Sequence, residues 1–371
     1  MSEDLVKPRI LLLIPTFQPH DAVGNDVVGM YRILRAHGYD AHILAEHIHA
    51  EYSSLTTKAS LDNDFWQDPD AILIYHHAIE WKLGEQILNC SQNKIVVKYH
   101  NVTPPEYYAR YDESCYGWCV RGVEATRRLA KRKLDFVWGD SAYNAREFID
   151  LGVSPERCRV VAPIHRIEDL GHSPLDAVIT GTYRGDIPNI LFVGAFRPNK
   201  GHFKALEVYA AYLRRSGCNA RMIFVGSFDP LLGQYVKEIE EYACYLEVEK
   251  DLHFHRAATL AQLRSYYTVA SVFLCVSEHE GFCVPLAEAM YFRTPIVAWA
   301  SSAVGETCGP CGVLREQYNA DLLAEGIEEC VENPLTARAL ARSGRLRYET
   351  EFHPDAIGAK LMTLVREVAE L

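Results

Sequence analysis

The sequence predicts an α/β protein of two doubly wound domains in tandem. Three observations predict this fold class. Short, fully apolar strands alternate with helical patterns along most of the chain, which is typical of parallel sheets covered by helices on both faces. The 371 residues amount to about twice the usual domain length. The alternation also fades once, over 165–188, and then restarts.

The N-terminal half opens with a βαβ pattern. An apolar strand at 10–14 is followed by a loop carrying Asp21 and Gly24, a helix at 27–37 that ends at Gly38, and a strand at 41–45. This spacing suits a parallel pair joined by a crossover helix. Further buried strands are predicted at 71–75, 95–99, 136–138 and 160–162.

The same alternation fills the C-terminal half. Strands are predicted at 190–193, 220–225, 252–255, 272–276 and 296–299, and helices at 203–215, 231–246, 260–270, 285–292 and from 320 onward. We therefore predict a first domain at 1–170, a linker at 171–188 and a second domain at 189–350. A last helix at 351–371 is expected to pack back on the first domain. Tandem doubly wound domains can bring the carboxyl ends of their strands to a shared cleft, where ligands bind.

Composition and charge limit the kinds of partner and the cellular location that we expect for this protein. With 49% hydrophobic and 23% charged residues, the chain has an ordinary globular composition. A net charge of −11 argues against nucleic acid as the main partner, because phosphate binding needs a basic surface. The sequence contains no secretory signal and no apolar run of about 18 residues, so we expect a cytoplasmic protein with free cysteines.

The most informative segment runs from Glu280 to Glu288, directly after a buried strand. Pro285 suits the first turn of a helix. A helix N-terminus beside Gly281 is a ready anion site, which predicts a diphosphate there. Glu288 is placed to accept hydrogen bonds from sugar or ribose hydroxyls, and Glu280 to meet a second set. The plain alternative is that both carboxylates only complement the helix dipole.

This segment resembles the Glu-x7-Glu signature of the retaining family 4 glycosyltransferases, which have the two-domain GT-B fold. The similarity covers most of 189–348 and continues through Val193-Gly194, Pro198-Asn199-Lys200-Gly201, Gly226, Ser277 and Gly305-Glu306. The N-terminal half is similar, more loosely, to bacterial polysaccharide glycosyltransferases, several of them mannosyltransferases. That similarity lies in 21–25, 99–105 and Asp140-Ser141.

The resemblance implies roles for particular residues. Glu288 would hold the ribose of the nucleotide, Glu280 would contact hydroxyls of the donor sugar, and His100 would bind the hydroxyl at C6. Lys200 would lie on the diphosphate, where a fixed cation stabilises the charge of the leaving group. A solvated loop lysine and a core or capping histidine are the alternatives.

Other donor-binding positions follow from the same resemblance. Gly281, Phe282 and Cys283 would form the diphosphate-binding turn, and Gly24 would let the backbone approach the donor or acceptor closely. Relatives usually carry an arginine directly after the glycine at 194, but this chain has Ala195. We therefore expect Arg197 to reach the same phosphates.

The implied reaction is retaining transfer of a hexose, with mannose favoured, in polysaccharide biosynthesis. The donor would be GDP-mannose or a UDP-hexose, and the acceptor a hydroxyl of a growing glycan or lipid-linked oligosaccharide. No further cofactor and no enzymic nucleophile are expected. The alternatives are a catalytically silent nucleotide-sugar-binding subunit, which Ala195 makes plausible, a sugar-nucleotide epimerase, and a phosphorylase on the same fold. A phosphorylase would use free phosphate or pyridoxal phosphate, and no dedicated lysine environment for pyridoxal phosphate is evident.

Three patterns have the spacing of metal or redox sites. Asp62 and Asp64, like Asp68 and Asp70, have the spacing of a metal-binding Asp-x-Asp, but a solvated turn is favoured and metal independence is expected. Cys308 and Cys311 have thioredoxin-like spacing, which leaves a redox protein as an alternative. A predicted strand at 312–314, rather than a helix, follows them. A zinc site at Cys308 and Cys311 would need two more ligands, for which the spacing of Cys115 and Cys119 gives weak support.

A basic segment lies between Arg121 and Lys133. The segment contains one acidic residue, Glu124, and six basic residues, Arg121, Arg127, Arg128, Lys131, Arg132 and Lys133. A solvated helix face is the default interpretation. The alternative is peripheral contact with an anionic membrane or a lipid diphosphate acceptor.

Overall fold

The computed structural model describes residues 7–18 and 21–371, which form two compact units. The first unit comprises the described residues of 1–102 with Gly117–His165 and His353–Leu371. The second comprises Thr103–Tyr116 and Arg166–Phe352. The last helix of the chain thus belongs to the first unit.

Each unit contains one fully parallel sheet. The first sheet has the strand order β3-β2-β1-β4-β5-β6-β7 and the second β10-β9-β8-β11-β12-β13. The strands are β1 Ile10–Phe17, β2 Ala41–Ile48, β3 Thr56–Lys58, β4 Ile72–His77, β5 Lys94–Tyr99, β6 Phe136–Gly139, β7 Cys158–Val160, β8 Asn189–Val193, β9 Arg221–Gly226, β10 Leu252–Arg256, β11 Val272–Cys275, β12 Ile296–Trp299 and β13 Gly312–Arg315.

Helices connect most of the strands. They are α1 Ala22–Ala36, α2 Lys82–Cys90, α3 Glu113–Ala130, α4 Ala142–Asp150, α5 Ile167–His172, α6 Ala177–Tyr183, α7 His202–Ser216, α8 Gly233–Tyr245, α9 Leu260–Val269, α10 Val284–Tyr291, α11 Val304–Cys308, α12 Ala320–Glu332, α13 Pro334–Arg347 and α14 Pro354–Ala369. The predicted α/β class with doubly wound parallel sheets is confirmed. Among the helices that the structure describes, none is both long and apolar enough to span a bilayer.

The apolar strands are buried on both faces, as their sequences predict. In β1, Ile10 and Leu12 belong to a core cluster that also contains Leu361 of α14. Leu11 points to the opposite face and packs in a second cluster with Ile87 of α2. Because successive strand side chains alternate between faces, one apolar run supplies both cores.

The interval predicted as a linker, 171–188, contains a helix. Its side-chain cap is Asp176, which accepts hydrogen bonds from the amides of Val178 and Ile179 at the start of α6. Ile179 and Tyr183 are buried. A helix of seven residues gives too little periodicity to be recognised beside the surrounding glycines and prolines.

The strand order reverses direction once in each sheet. The reversal falls between β1 and β4 in the first unit and between β8 and β11 in the second. Ligands of doubly wound sheets bind outside the carboxyl ends of the strands at such a point. Both places carry polar side chains in this protein.

Candidate functional site

A tight turn after β8 places Lys200 at the switch point of the second sheet. The turn ends at Gly201, whose φ is +79°. A Cβ atom at this position would come within 2.1 Å of the carbonyl oxygen of Val276. The amide of Glu278 also donates a hydrogen bond to the carbonyl of Asn199, at 2.8 Å. The turn therefore lies directly against the chain leaving β11, and only glycine permits this approach.

Lys200 and Glu280 form an ion pair in this place. The distance from Lys200 Nζ to Glu280 Oε1 is 2.7 Å, and the two side chains are 21% and 10% exposed. Burial works to lower the pKa of Lys200, but the charge and hydrogen bond of Glu280, together with Cys283 and Cys275, raise that pKa overall. Glu280 is itself held through its amide, which donates to Ser302 Oγ at 2.8 Å. The switch point thus carries an ion pair whose two side chains are held in place.

The segment from Gly281 to Cys283 leads from this pair into α10. Phe282 is buried against the ring of Phe352, with ring centroids 5.2 Å apart. Thr307 Oγ1 donates to the Phe282 carbonyl at 2.6 Å. Cys283 precedes the helix with a φ of +74°. These contacts fix the backbone at the N-terminus of α10, where an anion would meet the helix amides.

Glu288 lies in α10 and binds a tyrosine that the sequence did not single out. Tyr267, in α9, donates from its hydroxyl to Glu288 Oε2 at 2.7 Å. Burial raises the pKa of Glu288 to about 7, although the hydrogen bond from Tyr267 lowers it in part. The charge of this carboxylate therefore changes in the neutral range.

Arg197 differs from these groups in its surroundings. It stands three residues before Lys200 and is exposed. Its amide donates to the carbonyl of Ala195 at 2.7 Å, which closes the start of the turn. The second unit thus brings together Lys200 and Glu280 in direct contact and leaves Arg197 at the surface.

The first unit holds His100 in a buried polar cluster at the carboxyl edge of its sheet. His100 follows β5, and its Nδ1 donates to Asp140 Oδ2 at 3.0 Å. Its Nε2 lies 2.9 Å from Nδ1 of His76, the neighbouring strand's histidine. Burial lowers the pKa of His76 well below its usual range.

A lysine and a second aspartate complete this cluster. Lys98 is fully buried and donates to Asp140 Oδ1 and to the carbonyl of Val161. Asp26, from α1, is fully buried as well, with Oδ2 4.0 Å from Lys98 Nζ. Burial alone would raise the pKa of Asp140, but His100 and Lys98 outweigh it, so that pKa is lowered.

The cluster also has the compactness of a metal site. Ligand atoms of Asp26, His76 and His100 all lie within 4.8 Å of one another. The ammonium of Lys98 is next to them and already supplies a positive charge. We therefore interpret the cluster as a hydrogen-bonded network with its own cation.

The predicted position of Gly24, in the loop before the first helix, is wrong. Gly24 lies within the first turn of α1. Asp21 caps this helix by accepting a hydrogen bond from the amide of Gly24 at 2.9 Å. The cap starts the helix five residues earlier than the hydrophobic pattern, which begins at Val27, indicated.

Sequence reasoning missed Asp26, His76, Lys98 and Tyr267. One signal was available, because Lys98 interrupts an otherwise apolar strand and a buried lysine requires an anionic partner. Asp26 and Tyr267 gave no such signal, since each lies in an ordinary amphipathic helix.

The other sequence motifs have surroundings of their own. Asp62 is exposed and Asp64 begins a short 3-10 helix. Cys308 and Cys311 are buried free thiols followed by strand β13, as predicted. In the basic segment, Arg121 binds Glu80, and Arg128 binds both Glu80 and Glu85.

Comparison of the sequence with known proteins identifies a family and curated relatives. The chain matches the family described as glycosyl transferases group 1 over residues 160–347, half of its length. It is 27% identical to an MMP α-(1→4)-mannosyltransferase of Mycolicibacterium hassiacum over 247 residues, 65% of this chain and 56% of that protein. It is 32% identical to an α-maltose-1-phosphate synthase of Mycobacterium tuberculosis over 119 residues, 30% of each chain. The chain thus spans little more than half of the first relative and less than a third of the second.

Solved structures resemble the whole chain. The structure of HepE from Anabaena in complex with UDP and glucose superposes with a TM-score of 0.73 at 16% identity, covering 97% of this chain and 100% of that one. Sucrose-phosphate synthase from Thermosynechococcus elongatus gives a TM-score of 0.74 at 19% identity, covering 98% and 99%. At these identities the likeness establishes the fold, and it confirms the GT-B prediction.

Proposed function

Because this chain belongs to the group 1 glycosyl transferases, we propose that it transfers a hexose from a nucleotide-diphospho-sugar to a hydroxyl group. The acceptor is a growing glycan or a lipid-linked oligosaccharide, and the anomeric configuration is retained. Mannose is the proposed sugar, supported by the mannosyltransferase among the relatives. The UDP and glucose bound to the Anabaena protein support a nucleotide-sugar donor.

The observation that carries this proposal is the ion pair of Lys200 and Glu280 at the switch point of the second sheet. The donor diphosphate takes Lys200 as its counter-charge and receives hydrogen bonds from the amides before α10. Because the diphosphate then shares the ammonium of Lys200, Glu280 can accept hydrogen bonds from hydroxyls of the donor sugar. As the bond to the sugar breaks, negative charge grows on the diphosphate, and the lysine stabilises it without reorganisation.

The remaining groups orient the donor. Glu288 accepts hydrogen bonds from the ribose hydroxyls, and His100 binds a hydroxyl of the sugar. The proton of the acceptor hydroxyl passes to the departing phosphate oxygen on the same face, so no side chain acts as a nucleophile. Arg197 supplies a second positive charge to the phosphates. Relatives usually supply it from an arginine at the position where this chain has Ala195.

Donor binding and transfer test the proposal in sequence. Thermal shifts are measured with GDP-mannose, UDP-glucose and ADP-glucose, because a ligand of the folded state raises the melting temperature. The donor that binds is then supplied in radiolabelled form with glycan and lipid-linked acceptors, and the product anomer is assigned by NMR. We expect GDP-mannose to bind and an α-linked product to form.

Two outcomes contradict the proposal. If none of the three donors shifts the melting temperature, the donor assignment is wrong. If a donor binds but is neither transferred nor hydrolysed, the protein is a catalytically silent binding subunit, the alternative that Ala195 favours.

A further inference from the structure

The loop that follows β12 holds the backbone of Glu280. The amide of Glu280 donates a hydrogen bond to Ser302 Oγ at 2.8 Å, and its carbonyl accepts one from the amide of Ala303 at 3.3 Å. In the same loop, Ser301 Oγ donates to the carbonyl of Ser277, just after the end of β11. The loop after β12 is therefore bonded at three points to the loop that carries Glu280.

Ser302 adopts an unfavourable backbone conformation. Its φ is +42°, in the left-handed region that residues with a side chain rarely enter. Glycine would adopt this conformation without the steric penalty of a Cβ atom. Backbone strain of this kind persists only where the surrounding structure imposes it, and it points to a role for the residue. The contact that glycine could not supply here is the hydroxyl acceptor for the amide of Glu280.

The ion pair with Lys200 does not by itself keep Glu280 in place during the proposed reaction. Its two charged atoms are 2.7 Å apart, but the donor diphosphate takes the same ammonium as its counter-charge. The hydrogen bond to Ser302 involves neither the ammonium nor the carboxylate, since it joins a backbone amide to a hydroxyl. Sharing the charge of Lys200 with the donor therefore leaves this hydrogen bond intact.

We propose that Ser302 is a positioning residue for the donor sugar. Its hydroxyl fixes the backbone of Glu280, so that the carboxylate meets the sugar hydroxyls in a constant place. This inference rests on the proposed function, in which Glu280 binds the sugar while Lys200 and Glu288 bind the diphosphate and the ribose. Ser302 consequently acts on the sugar part of donor binding and not on the nucleotide part.

Two substitutions separate the hydroxyl from the backbone conformation. Ser302→Ala and Ser302→Gly both remove the acceptor for the Glu280 amide, but only alanine retains the steric strain. We therefore expect Ser302→Gly to melt at a higher temperature than Ser302→Ala. Both should weaken the binding of GDP-mannose by about fivefold, the value of one neutral hydrogen bond. If the alanine variant does not fold, the glycine variant is sufficient for the binding test.

Isothermal titration calorimetry with GDP-mannose and with GDP alone measures the two parts of binding. If UDP-glucose is the donor that raises the melting temperature, UDP-glucose and UDP take their place. Both variants should bind the nucleoside diphosphate within about twofold of the wild type, the usual agreement for independent sites. Ser216→Ala is the matched control, because its hydroxyl also accepts from a backbone amide, that of Cys218 at 3.3 Å. Ser216 ends α7, whereas Lys200 precedes that helix, and its variant should change neither affinity.

A double-mutant cycle identifies the group through which Ser302 acts. Glu280→Ala removes the carboxylate and keeps the backbone amide. In that background Ser302→Gly should not weaken the binding of GDP-mannose further, because the side chain that it positions is already missing. Losses that add would mean that the two residues act independently.

Three results would overturn the inference in a protein that binds its donor. Both Ser302 variants bind GDP-mannose as tightly as the wild type, or GDP and GDP-mannose lose affinity by the same factor, or the losses of Ser302→Gly and Glu280→Ala add. The second result would mean that Ser302 only maintains the fold of the site. A wild type that binds none of the nucleotide-sugars would refute the proposed function, and this inference with it.

Discussion

Lys200 and Glu280, 80 residues apart in the sequence, are each other's charge partner, with Nζ and Oε1 2.7 Å apart. The family resemblance implies that they bind different parts of the donor, one the diphosphate and the other the sugar. If the donor binds here as proposed, its diphosphate competes with Glu280 for the same ammonium. The lysine would then already be positioned when the phosphate arrives.

Replacing Lys200 with alanine should reduce kcat/KM by a factor on the order of 10² or more, because the leaving diphosphate loses its fixed cation. Steady-state kinetics with the confirmed donor measure this. Lys204→Ala is the matched control, since Lys204 lies one turn along and binds Glu278 at 3.4 Å. Near wild-type turnover in Lys200→Ala would show that Arg197 or the helix amides are sufficient.

Glu288→Ala should weaken donor binding by roughly 1.5–3 kcal/mol, the value of a hydrogen bond to a charged group. That loss corresponds to a factor of about 10 to 150 in Kd. Isothermal titration calorimetry on the folded variant measures it, with Glu278→Ala as a carboxylate control. An unchanged nucleotide affinity would remove Glu288 from the donor site.

Donor affinity should depend on pH through the same residue. With a pKa of about 7, Glu288 is largely ionised at pH 8 and largely protonated at pH 6, so affinity should fall as the pH is lowered. Tyr267→Phe removes the hydrogen bond that favours the carboxylate, so the loss should begin at a higher pH than in the wild type. A pH profile that does not move in Tyr267→Phe would mean that another group controls it.

Much of this architecture follows from the sequence, and the exceptions have physical reasons. Apolar strands such as Ile10–Phe17 are recognisable because both of their faces are buried. The edge strand Thr56–Lys58 was missed because it is polar and largely exposed. Local motifs indicated Lys200 and Glu288. Their closest partners lie 80 and 21 residues away in the chain, and no local pattern reports such contacts.

Transfer should not require a divalent metal. The prediction rests on the sequence, which contains no credible metal-binding motif. In the proposed function, the ammonium of Lys200 would take the role that a metal ion has at the leaving group of other enzymes. Activity is expected to persist in excess EDTA, assayed after prolonged dialysis. If EDTA abolished the activity and Mg²⁺ or Mn²⁺ restored it, Asp62 and Asp64 would again be candidate metal ligands.

The basic segment from Arg121 to Lys133 should bind anionic liposomes at low salt and neutral liposomes not at all. Each cation near such a surface contributes up to about 1 kcal/mol, and the binding should weaken as salt shortens the Debye length. Arg121 and Arg128 are already paired with glutamates, which reduces the charge available. Sedimentation of the wild type and of a variant with Arg127, Arg128 and Lys131 changed to Glu tests this. Equal pelleting with both kinds of liposome would contradict it.

Helix α14 has a consequence for the order in which the chain folds during synthesis. Leu361, Val365 and Val368 fill the same core cluster as Ile10 and Leu12, although the ribosome makes them only after the second unit. The N-terminal half emerges before the second unit but exposes an apolar surface until α14 leaves the exit tunnel. By then every residue of the second unit, which ends at Phe352, has been made. Nascent chains stalled before residue 353 should therefore bind chaperones through the N-terminal half, despite its earlier synthesis.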